Sequence, residues 1–189
     1  MKKLLLIIGA PGSGKTTNAE LIAEHNDRIT HYSTGDMLRA EVATKSARGK
    51  EIESYISKGN IVPISIVIKT ILDAIENAPT DVVIIDGYPR SLEQMYELDS
   101  FLTLNFSVKL INVLEIDVSL ETARERVLGR ARGEDDDSKI FENRMHVYMQ
   151  PLVDIRAFYT AKRVLKVFSG ESSIEEIVTK IETYLNKKI

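Results

Sequence analysis

Residues 4–17 read LLLIIGAPGSGKTT, which is a run of five apolar residues, a glycine-rich turn, a lysine and two threonines. A short apolar run of this kind is typical of a buried parallel strand. The stretch from Gly9 to Thr16 matches the pattern G-x-x-x-x-G-K-[ST], and a segment with helical character follows it. In such a loop the backbone N–H groups point inward around a phosphate, and the helix N-terminus adds partial positive charge. The sequence therefore predicts a phosphate-binding loop between a strand and a helix.

Strands and helices alternate along the rest of the chain. Apolar runs predict strands at Leu4–Ile8, Ile29–Ser33, Val82–Ile85, Lys109–Ile116 and Val164–Phe168. Helices are predicted at Lys15–His25, Met37–Thr44, Glu51–Lys58, Ile64–Asn77, Leu92–Leu104, Leu120–Leu128, Lys139–Tyr159 and Ile174–Asn186. A break is expected near Gly49, and a kink or split at Pro151. We predict an α/β, three-layer fold with a central five-stranded parallel sheet, whose ligands bind beyond the carboxyl ends of the strands.

The composition limits the classes of function. Of 189 residues, 43% are hydrophobic, which suffices for a core, and the net charge of −3 gives no basic excess for non-specific nucleic-acid binding. The absence of cysteine excludes disulfides and Cys-based zinc sites. No stretch approaches the roughly 20 apolar residues of a membrane span, and Leu4–Ile8 is too short for a signal peptide. We expect a cytoplasmic protein with no nucleic-acid or membrane partner.

An acid follows the second clear buried strand. Val82–Ile85 is entirely apolar and leads directly into Asp86. An aspartate at this point of a phosphate-binding fold orients Mg²⁺, usually through water. Strand-end aspartates also form turns, so it is the pairing with the phosphate-binding loop that favours the metal role. A base-reading N-K-x-D stretch, which a GTPase would need, is absent from the sequence.

Four further motifs resemble those of adenylate kinases. Residues 33–39 read STGDMLR, residues 59–63 read GNIVP, residues 86–90 read DGYPR with Gln94 four residues later, and residues 126–130 read RVLGR. The resemblance, which extends from Gly9 to about Arg144, implies a P-loop NTPase-type kinase of nucleoside monophosphates. It implies one domain over residues 1–189, with a small helical NMP-binding insertion at 33–62 and a short lid at 130–137. It also implies a monomer.

The same resemblance implies a role for each matching residue. Catalysis is expected from Lys15, Arg90, Arg130, Arg132 and Arg144, whose charges would surround the transferred phosphoryl group. ATP binding is expected from Gly12, Ser13, Gly14, Lys15, Thr16, Thr17, Arg126, Arg130 and Ser172. AMP binding is expected from Thr34, Arg39, Asn60, Ile61, Val62, Gly87, Tyr88, Pro89, Arg90, Gln94, Arg132 and Arg144. The implied substrates are ATP, AMP and ADP with Mg²⁺, and the implied reaction is direct in-line transfer without a phospho-enzyme.

Three departures from the family pattern leave roles open. Two hydroxyls, Thr16 and Thr17, compete for the side facing the metal: the general motif favours Thr16 and the alignment favours Thr17. An extra residue after Arg132 makes its placement uncertain. Ser172 stands where relatives often place a lysine near the ATP base, so the contact there is expected to come from the backbone. A lid this short, in a chain without cysteine, implies no structural zinc.

Two alternative functions stay open at this point. UMP/CMP kinases resemble this family but tend to carry alanine at the position of Thr34 and asparagine at that of Gln94, so both positions here follow the AMP pattern. The other alternative is a nucleotide-gated binding module without transferase activity. The three histidines, His25, His31 and His146, match no motif and are assigned as structural or surface residues. Phe101, Phe141, Tyr148 and Phe158 are assigned to the core.

Overall fold

A computed structural model describes residues 1–129 and 138–189 of the chain. Within those residues five strands form one sheet in the order β2-β3-β1-β4-β5, and every neighbouring pair is parallel. The strands are β1 (Lys2–Gly9), β2 (Ile29–Ser33), β3 (Val82–Asp86), β4 (Val108–Asp117) and β5 (Leu165–Ser169). The predicted five-stranded parallel sheet is confirmed, and the segment after each strand begins at the same edge.

Eight helices lie between and after these strands in the described part of the chain. They are α1 (Lys15–Glu24), α2 (Thr34–Ala43), α3 (Ala47–Ile56), α4 (Ile64–Asn77), α5 (Leu92–Leu104), α6 (Leu120–Leu128), α7 (Ser138–Ala161) and α8 (Ile174–Leu185). No helix among the described residues has the length and apolar character needed to cross a membrane.

The alternation of side chains along β1 explains the three layers. Leu5 and Ile7 pack on one face against the apolar sides of α1 and α8, where Ile22 and Ile181 are fully buried. Leu4, Leu6 and Ile8 alternate with them and pack on the other face against α4, α5 and α7. Successive side chains of a strand point to opposite faces, so an apolar run without alternation must be covered twice. The predicted three-layer arrangement follows from that run.

The predicted break near Gly49 is wrong. The chain leaves helical structure earlier, at Thr44–Ser46, and Gly49 lies inside α3. A Cβ atom at Gly49 would lie 2.5 Å from the Glu41 carbonyl oxygen of α2. This glycine therefore allows α2 and α3 to approach closely, and it does not end one of them.

Pro151 does not split its helix. α7 runs for 24 residues from Ser138 to Ala161, with Pro151 inside it. A proline removes one backbone N–H donor from a helix, a loss that the packing of neighbouring residues can offset. Leu152, Ile155 and Tyr159 are buried just beyond the proline, so the second half of α7 is fixed by the core.

Candidate active site

The phosphate-binding loop joins β1 to α1 at the centre of the sheet. Gly12 and Gly14 have φ values of 81° and 83°, in the left-handed region that favours glycine. A Cβ atom at Gly12 would also lie 2.4 Å from the Ala123 carbonyl oxygen of α6. The backbone of Ser13 donates to the Ala10 carbonyl at 3.0 Å, which closes the turn. The structure thus gives residues 9–16 the compact loop that the motif predicts.

A cluster of hydrogen-bonded side chains lies beside this loop and consists of Thr16, Asp86 and His31. The Thr16 hydroxyl donates to Asp86 Oδ1 at 3.0 Å, and His31 Nε2 lies 2.6 Å from Asp86 Oδ2. An ionised carboxylate only accepts hydrogen bonds, so the imidazole N–H donates. The His31 and Asp86 side chains are 8% and 2% exposed, so the contact between them is shielded from solvent. His31 was assigned a structural or surface position, and the structure places it against the predicted metal residue.

Four basic side chains meet where the carboxyl ends of β1 and β3 face α2 and α7. Lys15, Arg39, Arg90 and Arg144 line one cavity together with the acids Asp36 and Asp86. Arg39 pairs with Asp36 across 2.6 Å on the first turns of α2. Phosphate groups are bound by clustered guanidinium and ammonium groups, so this cavity has the chemistry of a polyphosphate site.

A second cavity adjoins the first between α2, the start of α4 and the turn after β3. Its lining includes nine of the residues expected to bind AMP: Thr34, Arg39, Asn60, Ile61, Val62, Gly87, Arg90, Gln94 and Arg144. The Thr34 hydroxyl is buried and has no hydrogen-bond partner among the described residues. An unpaired buried polar group costs free energy, so it points to a ligand group that completes it.

The turn after β3 forms a rigid wall of this cavity. Gln94 Oε1 accepts from the Arg90 backbone N–H at 2.7 Å, and Arg90 Nε donates to the Gly87 carbonyl at 2.9 Å. Tyr88 is fully buried, and its hydroxyl donates to the Gln94 carbonyl. Burial, with a smaller contribution from the Glu97 charge, raises the pKa of Tyr88. Tyr88 therefore supports the wall from the core, whereas its neighbour Pro89 lines an adjoining cavity.

An ion pair with a buried carboxylate supports α7 behind the site. Glu115 of β4 is fully buried and receives two hydrogen bonds from Arg156 Nε, at 2.8 and 3.1 Å, and one from Arg156 Nη2 at 2.6 Å. The Tyr148 hydroxyl donates to the same carboxylate at 3.1 Å. Burial, followed by the Glu115 charge, raises the pKa of Tyr148 and keeps this donor protonated. Tyr148 also lines the cavity beside Lys15 and Arg144, so its assignment to the core is incomplete.

A more open cleft lies on the other side of the phosphate-binding loop. Thr17, Arg126 and Ser172 line it, together with Gly12, Ser13, Gly14 and Ser173. Arg126 Nη2 donates to the Gly170 carbonyl at 2.9 Å. Glu171 accepts from the Ser119 backbone N–H and the Thr122 hydroxyl, and these hydrogen bonds lower its pKa. The loop after β5 is thereby tied to the start of α6, which carries Arg126.

Several predictions fall outside this geometry. Arg130 and Arg132, and with them the proposed lid at 130–137, lie outside the described residues. His25 and His146 line none of the cavities of the phosphate site, and His25 instead pairs with Glu182 on the surface. Sequence reasoning missed the contact of His31 and the role of Glu115. A charged residue inside the apolar strand VLEID was the available signal for Glu115.

Comparison with known proteins agrees with this site. A family model described as adenylate kinase matches residues 7–164. The chain is 59% identical over 190 residues to an adenylate kinase of Wolinella succinogenes and to one of Helicobacter hepaticus, in each case across the full length of both proteins. It is 59% identical over 189 residues to an adenylate kinase of Nautilia profundicola, covering 98% of that protein. The chain therefore belongs to the adenylate kinase family.

Proposed function

We propose that this protein catalyses the reversible transfer of the γ-phosphoryl group of ATP to AMP, giving two molecules of ADP. The observation that carries the proposal is the cavity lined by Lys15, Arg39, Arg90 and Arg144. It joins the phosphate-binding loop to the second cavity, so two phosphorylated ligands can meet there with their charges neutralised. Relatives that match over their whole length carry the name adenylate kinase.

AMP is placed in the cavity that Thr34 and Gln94 line. The Thr34 hydroxyl offers a buried hydrogen-bonding group to the base. The oxygen of Gln94 is engaged by the Arg90 backbone, which fixes the orientation of its amide group. Arg39 and Arg90 would hold the AMP phosphate, because planar guanidinium groups match phosphate oxygens in geometry and keep their charge at any cellular pH.

ATP is placed along the phosphate-binding loop, with its base in the cleft that contains Arg126 and Ser172. A guanidinium group stacks well on an aromatic base, and the Arg126 bond to Gly170 holds this one at the cleft. Loop N–H groups and the N-terminus of α1 would receive the phosphates. Lys15 Nζ now lies 3.4 Å from the Ala10 carbonyl, and would turn to the terminal phosphates.

The transfer itself requires alignment and charge neutralisation. An oxygen of the AMP phosphate forms the new bond to the γ-phosphorus, and the bond from that phosphorus to the β,γ-bridging oxygen breaks as the first ADP leaves. Lys15, Arg90 and Arg144 would stabilise the charge that spreads over the transferred group, together with Arg130 and Arg132 of the proposed lid. Direct transfer needs no protein nucleophile.

The residues around Asp86 fit a magnesium ion that arrives with ATP. Mg²⁺ keeps several waters and is bound through one or two carboxylates plus substrate phosphates, not by an all-protein cage. Asp86 and the Thr16 hydroxyl supply that small oxygen set, and among the described residues no cluster of three metal-ligating side chains is found. Bound Mg²⁺ would neutralise charge on the phosphates. We propose Thr16 as the metal-facing hydroxyl, because Thr17 lines the open cleft.

Water is the competing acceptor, so the site has to close before transfer. We propose that segment 33–62 closes over AMP and that segment 130–137 closes over ATP. Arg39 of segment 33–62 lines the phosphate cavity, so movement of that segment would couple closure to chemistry.

The proposal is tested by measuring ADP formed from ATP, Mg²⁺ and AMP by purified protein, with Lys15→Met as the control. We expect rapid ADP formation that stops on removal of Mg²⁺ and falls by about 10³-fold or more in the variant. Binding of ATP and AMP without ADP formation would instead indicate a nucleotide-gated binding module.

A further inference from the structure

The loop that leads into α4 rests directly on the first turns of α7. Asn143 Nδ2 donates to the Lys58 carbonyl at 2.7 Å and to Asn60 Oδ1 at 3.0 Å. Between those two residues, Gly59 has a φ of 72°, and a Cβ atom there would lie 2.8 Å from Arg144 Cγ. It would also lie 3.1 Å from the Ile140 carbonyl oxygen. Residues 58–60 are thus held by one side chain and packed against the helix.

This loop continues directly from α3, and the Gly59 and Asn60 backbone N–H groups donate to the Ile56 and Tyr55 carbonyls at 2.9 and 3.0 Å. Gly59, Asn60, Ile61 and Val62 all line the cavity, yet they lie between α3 and α4 and outside any regular element. A loop segment is ordered only by the contacts that its backbone makes. The Asn143 amide nitrogen has two donors, and both are used on this loop. Asn143 therefore fixes the backbone path that the base of AMP would meet.

We propose that Asn143 is a positioning residue for the acceptor nucleotide, which holds residues 58–62 in their AMP-binding arrangement before AMP arrives. The inference rests on the proposed function, since it assigns AMP to that cavity. Asn143 itself does not line the cavity, so it acts through the loop and not through contact with the ligand. Preorganised loops bind more tightly because the ligand does not have to order them.

Asn143 also lies next to a cation of the candidate site. Arg144 lines both the phosphate cavity and the AMP cavity, and it follows Asn143 directly in α7. The same helical turn thus presents a cation to the transferred group and fastens the AMP loop. Loss of the Asn143 bonds should loosen the loop and leave the helix in place, because Glu115 and the buried residues of α7 hold that helix independently.

The test compares Asn143→Ala and Asn143→Asp with the wild type, and uses Glu142→Ala as the matched control. The aspartate keeps the shape of the side chain but removes the donor. Glu142 lies on the same turn and forms an exposed ion pair with Arg124, of the kind that contributes little to stability. Steady-state KM values for AMP and ATP are measured, together with the affinity for AMP alone by calorimetry.

We expect both Asn143 variants to raise KM for AMP and the dissociation constant of AMP by about tenfold, which corresponds to the loss of two modest hydrogen bonds. The KM for ATP should change by less than about twofold, and Glu142→Ala should match the wild type. An unchanged AMP affinity in either Asn143 variant would overturn the proposal. Equal losses for ATP and AMP would also overturn it, since they would indicate a displaced α7. Calorimetry keeps this outcome separate from the proposed function, which fails only if the wild type forms no ADP.

Discussion

The two nucleotide cavities differ in how their walls are built. The AMP cavity is enclosed by side chains from several elements, and its polar residues Thr34 and Gln94 are only 5% and 3% exposed. The cleft beyond the phosphate-binding loop is more open, and Ser173 and Ile174 in its lining are exposed. A buried polar group rejects a ligand that leaves it unpaired, whereas an open surface tolerates such a ligand. We therefore expect strict selection of the acceptor base and looser selection of the donor base.

The largest effect is expected at Arg90, in the turn after β3 that forms a wall of the proposed AMP cavity. Arg90→Lys keeps the charge but loses the planar fork and the Nε bond to Gly87. We expect kcat/KM for AMP to fall by about 10²–10³-fold, because the stabilisation of the transferred group depends on that geometry. The measurement is steady-state kinetics with AMP varied at saturating ATP. A change below tenfold would mean that a point charge suffices, and the wall would lose its assigned role.

The next largest effect is expected below the phosphate-binding loop. His31→Leu removes the donor to Asp86 Oδ2 and leaves a buried carboxylate oxygen without that partner. We expect the free energy of unfolding to fall by about 1–3 kcal/mol in urea denaturation, with weaker activation by Mg²⁺. His31→Gln can still donate and should recover part of both losses. Equal losses in the two variants would show that ring packing, and not the hydrogen bond, is what matters.

A smaller effect, on ATP and not on AMP, is expected in the open cleft. Arg126→Ala removes the group placed against the ATP base, together with its bond to the Gly170 carbonyl. We expect KM for ATP to rise about tenfold while KM for AMP changes little, since Arg126 lines no part of the AMP cavity. Kinetics with each substrate varied in turn separate the two constants. A matching rise for AMP would remove the distinction between the two cavities.

The smallest effect is expected at Ser172. This residue lines the cleft, but we assign the contact with the ATP base to its backbone. Ser172→Ala should therefore raise KM for ATP by less than about twofold. A rise near that of Arg126→Ala, measured in the same assay, would show that the hydroxyl takes part in binding the base.

Local sequence patterns were enough to predict most of the fold. The helices at Ile64–Asn77, Leu92–Leu104 and Leu120–Leu128 were predicted to the residue, because each has a clear capping residue or proline before it and an apolar period within it. Gly49 was misread because its neighbour is a carbonyl of another helix, and no local pattern records that contact. Pro151 was expected to kink or split its helix, and the split is wrong because the core beyond the proline outweighs its local cost.

The candidate site, like the fold, has a part that the sequence predicts and a part that it does not. The phosphate-binding loop and Asp86 are recognisable from short motifs, since each depends on residues adjacent in the chain. His31 meets Asp86 only because β2 and β3 pair in a register that sets Ser33 beside Asp86. Asn143 meets Asn60 across 83 positions of sequence. Such contacts are fixed by the packing of distant elements, and single-sequence reasoning has no signal for them.

The claim that buried side chains select the acceptor is tested most directly by acceptor kinetics. We would measure kcat/KM for AMP, CMP, UMP and GMP with Mg²⁺–ATP, in the wild type and in Thr34→Ala/Gln94→Asn. We expect the wild type to favour AMP over every other acceptor by at least about 10²-fold, and the double variant to lose most of that preference toward CMP and UMP. A wild type that prefers CMP or UMP, or a double variant that keeps its full preference for AMP, would contradict the account.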